Sequence, residues 1–163
     1  MAEAKIRILG CGNIIAGDDG VGVEVLHELQ KRTLPAGVEL VEAGAPGLGM
    51  LDLMYGARKV IIVDAVADGG PAGRVIRWRE AELPKKTSRA VSVHDISIRD
   101  ALAFGRKSVP AMMPDEIVVI GITVERMEKW HMGLSPAVVE AVPAAVEAVM
   151  KEIERWVGQD RRD

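Results

Sequence analysis

Apolar and polar positions along the chain fall into short runs and longer amphipathic stretches that alternate. Residues 5–9 (KIRIL), 37–42 (GVELVE), 59–65 (KVIIVDA) and 116–122 (EIVVIGI) are β-branched runs. The last two are almost wholly apolar, as strands covered on both faces are. Residues 74–80 (RVIRWRE) alternate apolar and basic side chains, which predicts a strand at the sheet edge or with one face in water. Between these runs, residues 21–32, 50–55, 96–104 and 136–157 carry helical patterns. Strand and helix in alternation predict an α/β fold: a three-layer αβα sandwich around a mainly parallel, twisted sheet of about five strands.

The last helix has the strongest pattern. Val138, Val139, Val142, Val146, Val149, Met150, Ile153 and Trp156 recur at three- and four-residue spacing, the stripe of a helix packed on a core. Ser135 is placed to cap it and Pro136 suits its first turn, whereas Pro143 falls inside it and is expected to kink it.

Composition narrows the function classes. At 163 residues, 48% apolar and 28% charged, the chain suffices for one buried core, so a single domain over residues 1–163 is expected. The formal charge of -3 is small and the basic residues are scattered, which gives nucleic acid no electrostatic footing. Cys11 is the one cysteine, so neither an internal disulfide nor a paired-cysteine metal knuckle can form, as suits a reducing cytoplasm. The opening MAEAKIRILG has no secretory character and no apolar run approaches membrane-spanning length. A cytoplasmic protein without a membrane partner is expected. No surplus apolar helix face is evident, so a monomer is expected.

The chemistry gathers around GCGNIIAGDDGVG, residues 10–22. A dinucleotide fingerprint needs a glycine three residues after Gly12, where this chain has Ile15. A nucleotide P-loop needs a Lys-Ser or Lys-Thr pair, and here the helix opens on Asp18 and Asp19. Carboxylates at a helix N-terminus occupy the place a phosphate would take, so this loop presents carboxylates. Capping frequencies alone favour one aspartate as cap and the other solvated. The alternative is that Asp18 caps while Asp19 points into the crevice at the carboxyl ends of the strands, where open α/β sheets bind ligands. Two further residues head for that edge. Asp64 ends an apolar strand, although a capping or loop role suits it equally. His94, in SVHDIS, precedes a helix that Asp95 is expected to cap, which leaves the imidazole for a ligand or for a purely structural role. Asp19, Asp64 and His94 together offer two oxygens and one nitrogen from three loops, a set suited to a divalent transition metal such as nickel or zinc with coordination positions left open.

The ordered set GCGNIIAGDDGVG, VIIVDA, SVHDIS, VVIGITVE and GLSPAV resembles the hydrogenase maturation endopeptidases over nearly the whole chain, from about Ile6 to Trp156. The resemblance implies a single αβα domain that removes a C-terminal extension from the large-subunit precursor of a nickel–iron hydrogenase once nickel is loaded. It also implies that the metal-contacting residues are Asp19, Asp64 and His94, with nickel supplied by the precursor. Two positions depart from the pattern. The first acid is often glutamate in that family and is Asp19 here. The Asp-Gly-Gly-Thr turn of many members reads Glu42-Ala43-Gly44-Ala45-Pro46-Gly47, which bears on the hydrogenase served.

On this reading Asp19, Asp64 and His94 dock the protease on the precursor's nickel, and a metal-polarised carbonyl or activated water leads to cleavage of the nearby peptide bond. Two rivals stand beside it: an α/β module that binds metal without proteolysis, and a hydrolase built on Cys11 and His94. Cys11 lies between two glycines at a strand end, where a small buried thiol is expected in place of a nucleophile. Trp130, His131 and Met132 belong to a loop expected beside the crevice, either gripping peptide or packing over the core. His27 is expected to be structural among apolar neighbours, and Lys85, Lys86 and Arg89 to form a solvated loop.

Overall fold

The computed structural model describes residues 5–84, 97–125 and 133–163. Five strands, β1 (Ile6–Cys11), β2 (Val38–Gly44), β3 (Lys59–Val66), β4 (Val75–Arg79) and β5 (Glu116–Thr123), form one sheet in the order β2-β1-β3-β5-β4. All neighbours are parallel except β4, which runs antiparallel to β5 at one edge. The helices are α1 (Val21–Gln30), α2 (Met50–Met54), α3 (Ile98–Ser108) and α4 (Pro136–Asp160).

Side chains alternate across the strands and build two cores. Ile8, Ile61, Val63, Val118 and Ile120 face α1 and α4, while Leu9, Val60, Ile62, Ile117 and Val119 face α2 and α3. Both faces of β3 and β5 are therefore covered, which is why their sequences are nearly all apolar. The three-layer αβα arrangement with a mainly parallel sheet follows from this packing. Among the described residues, no helix is long and apolar enough to cross a membrane.

Several local expectations change. β1 runs two residues further than its apolar pattern, through Gly10 and Cys11, because its neighbours β2 and β3 continue the ladder beside it, with a bulge against β2 at that point. The N-cap of α3 is Ser97, whose Oγ accepts from the Asp100 amide at 3.1 Å, so the helix starts downstream of Asp95. As expected, Pro143 falls inside α4, on its exposed side. Ser135 does hold the N-cap position of α4, but its side chain makes no capping bond. His27 is half-exposed and lies between Glu24 on its own helix and Glu42 at the end of β2, 3.0 Å away, instead of among apolar groups.

Trp156 locks α4 to the sheet. It is fully buried, and its Nε1–H donates to Glu116 Oε2 at 2.6 Å. The Arg155 guanidinium bonds both Glu116 and the buried Glu152, and Arg77 of β4 pairs with Glu152 from the other side. Trp156→Ala is expected to destabilise the fold by about 3–5 kcal/mol through the cavity it leaves. Trp156→Phe keeps most of the packing and should cost less, about 1–3 kcal/mol, mainly through the lost hydrogen bond. Urea unfolding of the two variants measures the difference.

Candidate functional site

The chain leaves β1, crosses to β2 on one side and returns to β3 on the other, so the carboxyl ends of β1 and β3 flank a point where the winding reverses. Open α/β sheets bind ligands at such a point. A cleft opens here, lined among others by Cys11, Asp19, Pro46, Met50, Asp64 and Trp78.

Asp19 reaches the cleft from a short 3-10 turn, Gly17–Gly20, that precedes α1. Its Oδ2 accepts the Asn13 amide at 3.0 Å, and the Asn13 side chain in turn accepts from the Ile15 amide at 3.1 Å. The loop thus folds back on itself to aim this carboxylate. Two glycines permit that path. Gly12 has φ +118°, and a Cβ there would stand 1.7 Å from the Asp19 carbonyl oxygen. Gly22 lets α1 lie against the sheet, since a Cβ would stand 2.3 Å from the Cys11 oxygen and 2.5 Å from that of Val63. Gly22 therefore does the helix-packing work of the third glycine in a dinucleotide loop, although the phosphate-binding spacing is missing. Gly12→Ala is expected to destabilise the protein by more than the roughly 1–3 kcal/mol that a strained backbone conformation costs by itself, because the loop must also move off Asp19. Thermal unfolding of this variant measures the loss.

Asp64 lies within β3, which continues two residues beyond it, opposite Gly121 of β5. Its Oδ1 accepts from the Ala65 amide at 2.8 Å. Burial, and then the charge of Asp19, push its carboxyl up to about 7, with the Ala65 amide acting in the opposite direction. Two acids that share one partly dry cleft cannot both ionise cheaply unless a cation joins them.

Asp18 departs from expectation. Neither it nor Asp19 caps α1, whose N-cap is Gly20 without a side-chain bond. Asp18 is instead 5% exposed and accepts from the Ser135 amide at 2.6 Å and from the Ser135 hydroxyl at 2.9 Å.

Cys11 is buried and its thiol is pushed well up, first by burial and then by the charges of Asp64 and Asp19. A thiolate is therefore disfavoured in the place where a cysteine nucleophile would need one. The expected third donor, His94, lies outside the described residues, as do Asp95, Lys85, Lys86, Arg89, Trp130, His131 and Met132. Among the described residues, no three His, Cys, Asp or Glu side chains come together as a metal-holding group. Asp19 and Asp64 both line the cleft. Trp78 was not singled out from the sequence. Its alternating strand shows two faces, but which one turns toward the cleft depends on the pairing with β5, where Gly121 leaves room for the indole.

Comparison with known proteins agrees with this fold. The family model for hydrogenase maturation proteases matches residues 23–152. The chain is 30% identical to the hydrogenase 2 maturation protease of Escherichia coli over 148 residues, covering 90% of this chain and 88% of that one. It superposes on the structure of the hydrogenase maturating endopeptidase HybD from E. coli with a TM-score of 0.80, at 29% identity and 93% coverage of both chains. A hydrogenase 2 maturation peptidase from a Thaumarchaeota archaeon gives a TM-score of 0.67 at 26% identity, covering 91% of this chain and 97% of that one. With its matched core, its fold and its acidic cleft at the reversal of the sheet, the chain belongs to the hydrogenase maturation protease family.

Proposed function

We propose that this endopeptidase removes the C-terminal extension of a nickel-loaded hydrogenase large-subunit precursor, and that it finds the scissile region by binding the precursor's nickel through Asp19, Asp64 and His94. Family membership supports the peptidase role in hydrogenase maturation. One observation carries the metal reading: two carboxylates, one on the turn before α1 and one within β3, share a cleft in which burial and then the charge of Asp19 hold up the proton affinity of Asp64. A cation bound between them relieves that repulsion, and the nickel is part of the substrate.

Asp19 and Asp64 then supply oxygen donors and His94 a neutral imidazole nitrogen. The precursor's nickel, held there, would supply Lewis-acid chemistry toward the nearby peptide bond, by polarising its carbonyl or activating a water. Mass spectrometry of candidate precursors before and after exposure to the protein tests the proposal. A shortened product is expected from nickel-loaded precursor only. Equal cleavage of nickel-free precursor would remove metal recognition, and no cleavage of any loaded precursor would remove the substrate assignment.

Cys11→Ala separates this reading from a cysteine hydrolase. With the thiol buried and its ionisation opposed, cleavage by the variant is expected to stay within about threefold of the parent, a change of well under 1 kcal/mol in the barrier.

A further inference from the structure

Asp18 is a buried carboxylate beside Asp19 that neither faces the cleft partners nor caps its helix, yet receives two donors from one residue far along the chain. Both oxygens are engaged: Oδ1 by the Ser135 amide at 2.6 Å and Oδ2 by the Ser135 hydroxyl at 2.9 Å. Ser135 is the last residue before α4, and α4 is fixed to the sheet by Val138, Val142, Val149 and Trp156. The Gly17–Gly20 turn is thus tied to a helix anchored in the core. Charge-assisted hydrogen bonds of this kind hold geometry more tightly than neutral ones.

We propose that Asp18 is the positioning residue of the site: its two bonds to Ser135 fix the 3-10 turn against α4 and so set where Asp19 presents its carboxylate. The Asn13 amide braces Asp19 from within the loop, whereas the two Ser135 bonds reach the turn from a distant part of the chain. The turn is flanked by Gly17 and Gly20, and no side chain caps α1. A short acid next to a glycine has considerable backbone freedom unless something outside the loop restrains it. This inference rests on the reading of Asp19 as a site residue, but its test needs neither metal nor precursor.

The amide of Asn13 reports the position of Asp19, because Asp19 Oδ2 is its acceptor. Amide hydrogen exchange followed by NMR is expected to speed up at Asn13 by about tenfold in Asp18→Ala, with Ile61 and Ile62 in β3 unchanged, since the loop opens locally while the core does not. Asp18→Asn should restore near-parental exchange. Its carbonyl still accepts from the Ser135 amide, and its NH2 can donate to the Ser135 hydroxyl, which rotates to accept. Ser135→Ala, which keeps the backbone donor, should show an intermediate effect and stands in if Asp18→Ala does not fold. The proposal is overturned if Asn13 exchange is unchanged in folded Asp18→Ala or Ser135→Ala. It is equally overturned if acceleration extends uniformly to Ile61 and Ile62, or if Asp18→Asn behaves like Asp18→Ala.

Discussion

Asp64→Asn should lose processing of nickel-loaded precursor by on the order of 1000-fold, about 4 kcal/mol of transition-state stabilisation, while the protein folds as well as before. The two halves of this expectation come from one fact. Asp64 occupies a partly buried position where its anionic form is opposed by burial and by Asp19. An amide has almost the same shape and no charge, so the folded chain accepts it easily. It also keeps an oxygen for the Ala65 amide. What the amide cannot supply is the negative charge that a cation would bind. Above about pH 7 the metal-free variant is expected to melt at or above the temperature of the parent, because a charge that the fold tolerates poorly is gone. Mass spectrometry of the precursor and a melting curve check both halves. Cleavage at the parental rate would remove Asp64 from the site, and an unfolded variant would show that the carboxylate is structural.

Nickel affinity of the isolated protein is expected to fall about tenfold for each pH unit below about 7, and to level off above it, because the ion must displace the proton that Asp64 holds. The ordinary aspartate value is 3.8, and here the folded state raises it to about 7. Between those values the folded protein holds a proton that the unfolded chain has released. Stability without metal therefore decreases as pH climbs through that window and is flat with respect to Asp64 beyond it. Nickel reverses the trend, and its stabilising effect should be largest above about pH 7. His94 must also be neutral to donate, so the fall in affinity should steepen below the ordinary imidazole value of about 6.5. Calorimetric titration in buffers of different ionisation enthalpy reads the protons released. Affinity that stays constant between about pH 5.5 and pH 8 would contradict the assignment of Asp64 as a ligand.

The elements most legible in the sequence are those whose environment acts on every residue. β3 and β5 are covered on both faces, so nearly every side chain must be apolar. α4 is covered along one face, which leaves its three- and four-residue spacing of valines. The approach of Asp19 to Asp64 was also legible, because acids that end or follow parallel strands are carried to the same sheet edge by right-handed crossovers.

Where a residue's role depends on a partner far away in the chain, no local pattern announces it. Asp18 and Ser135 each carry a good capping signature, and each sits at a helix start, yet they bond each other across 117 positions. His27 looks like a helix residue among apolar neighbours until β2 brings Glu42 beside it. Trp78 faces the cleft because β4 pairs antiparallel with β5 at one register, and a shift by one residue would turn it to the opposite face. The sequence by itself determined the layers, the sheet and the edge at which two acids meet, since burial and strand direction are written into residue type and order. Only the tertiary structure decided what Asp18 holds, how dry Asp64 is and which face of the edge strand meets the cleft, since these depend on contacts between segments whose separation leaves no periodic trace.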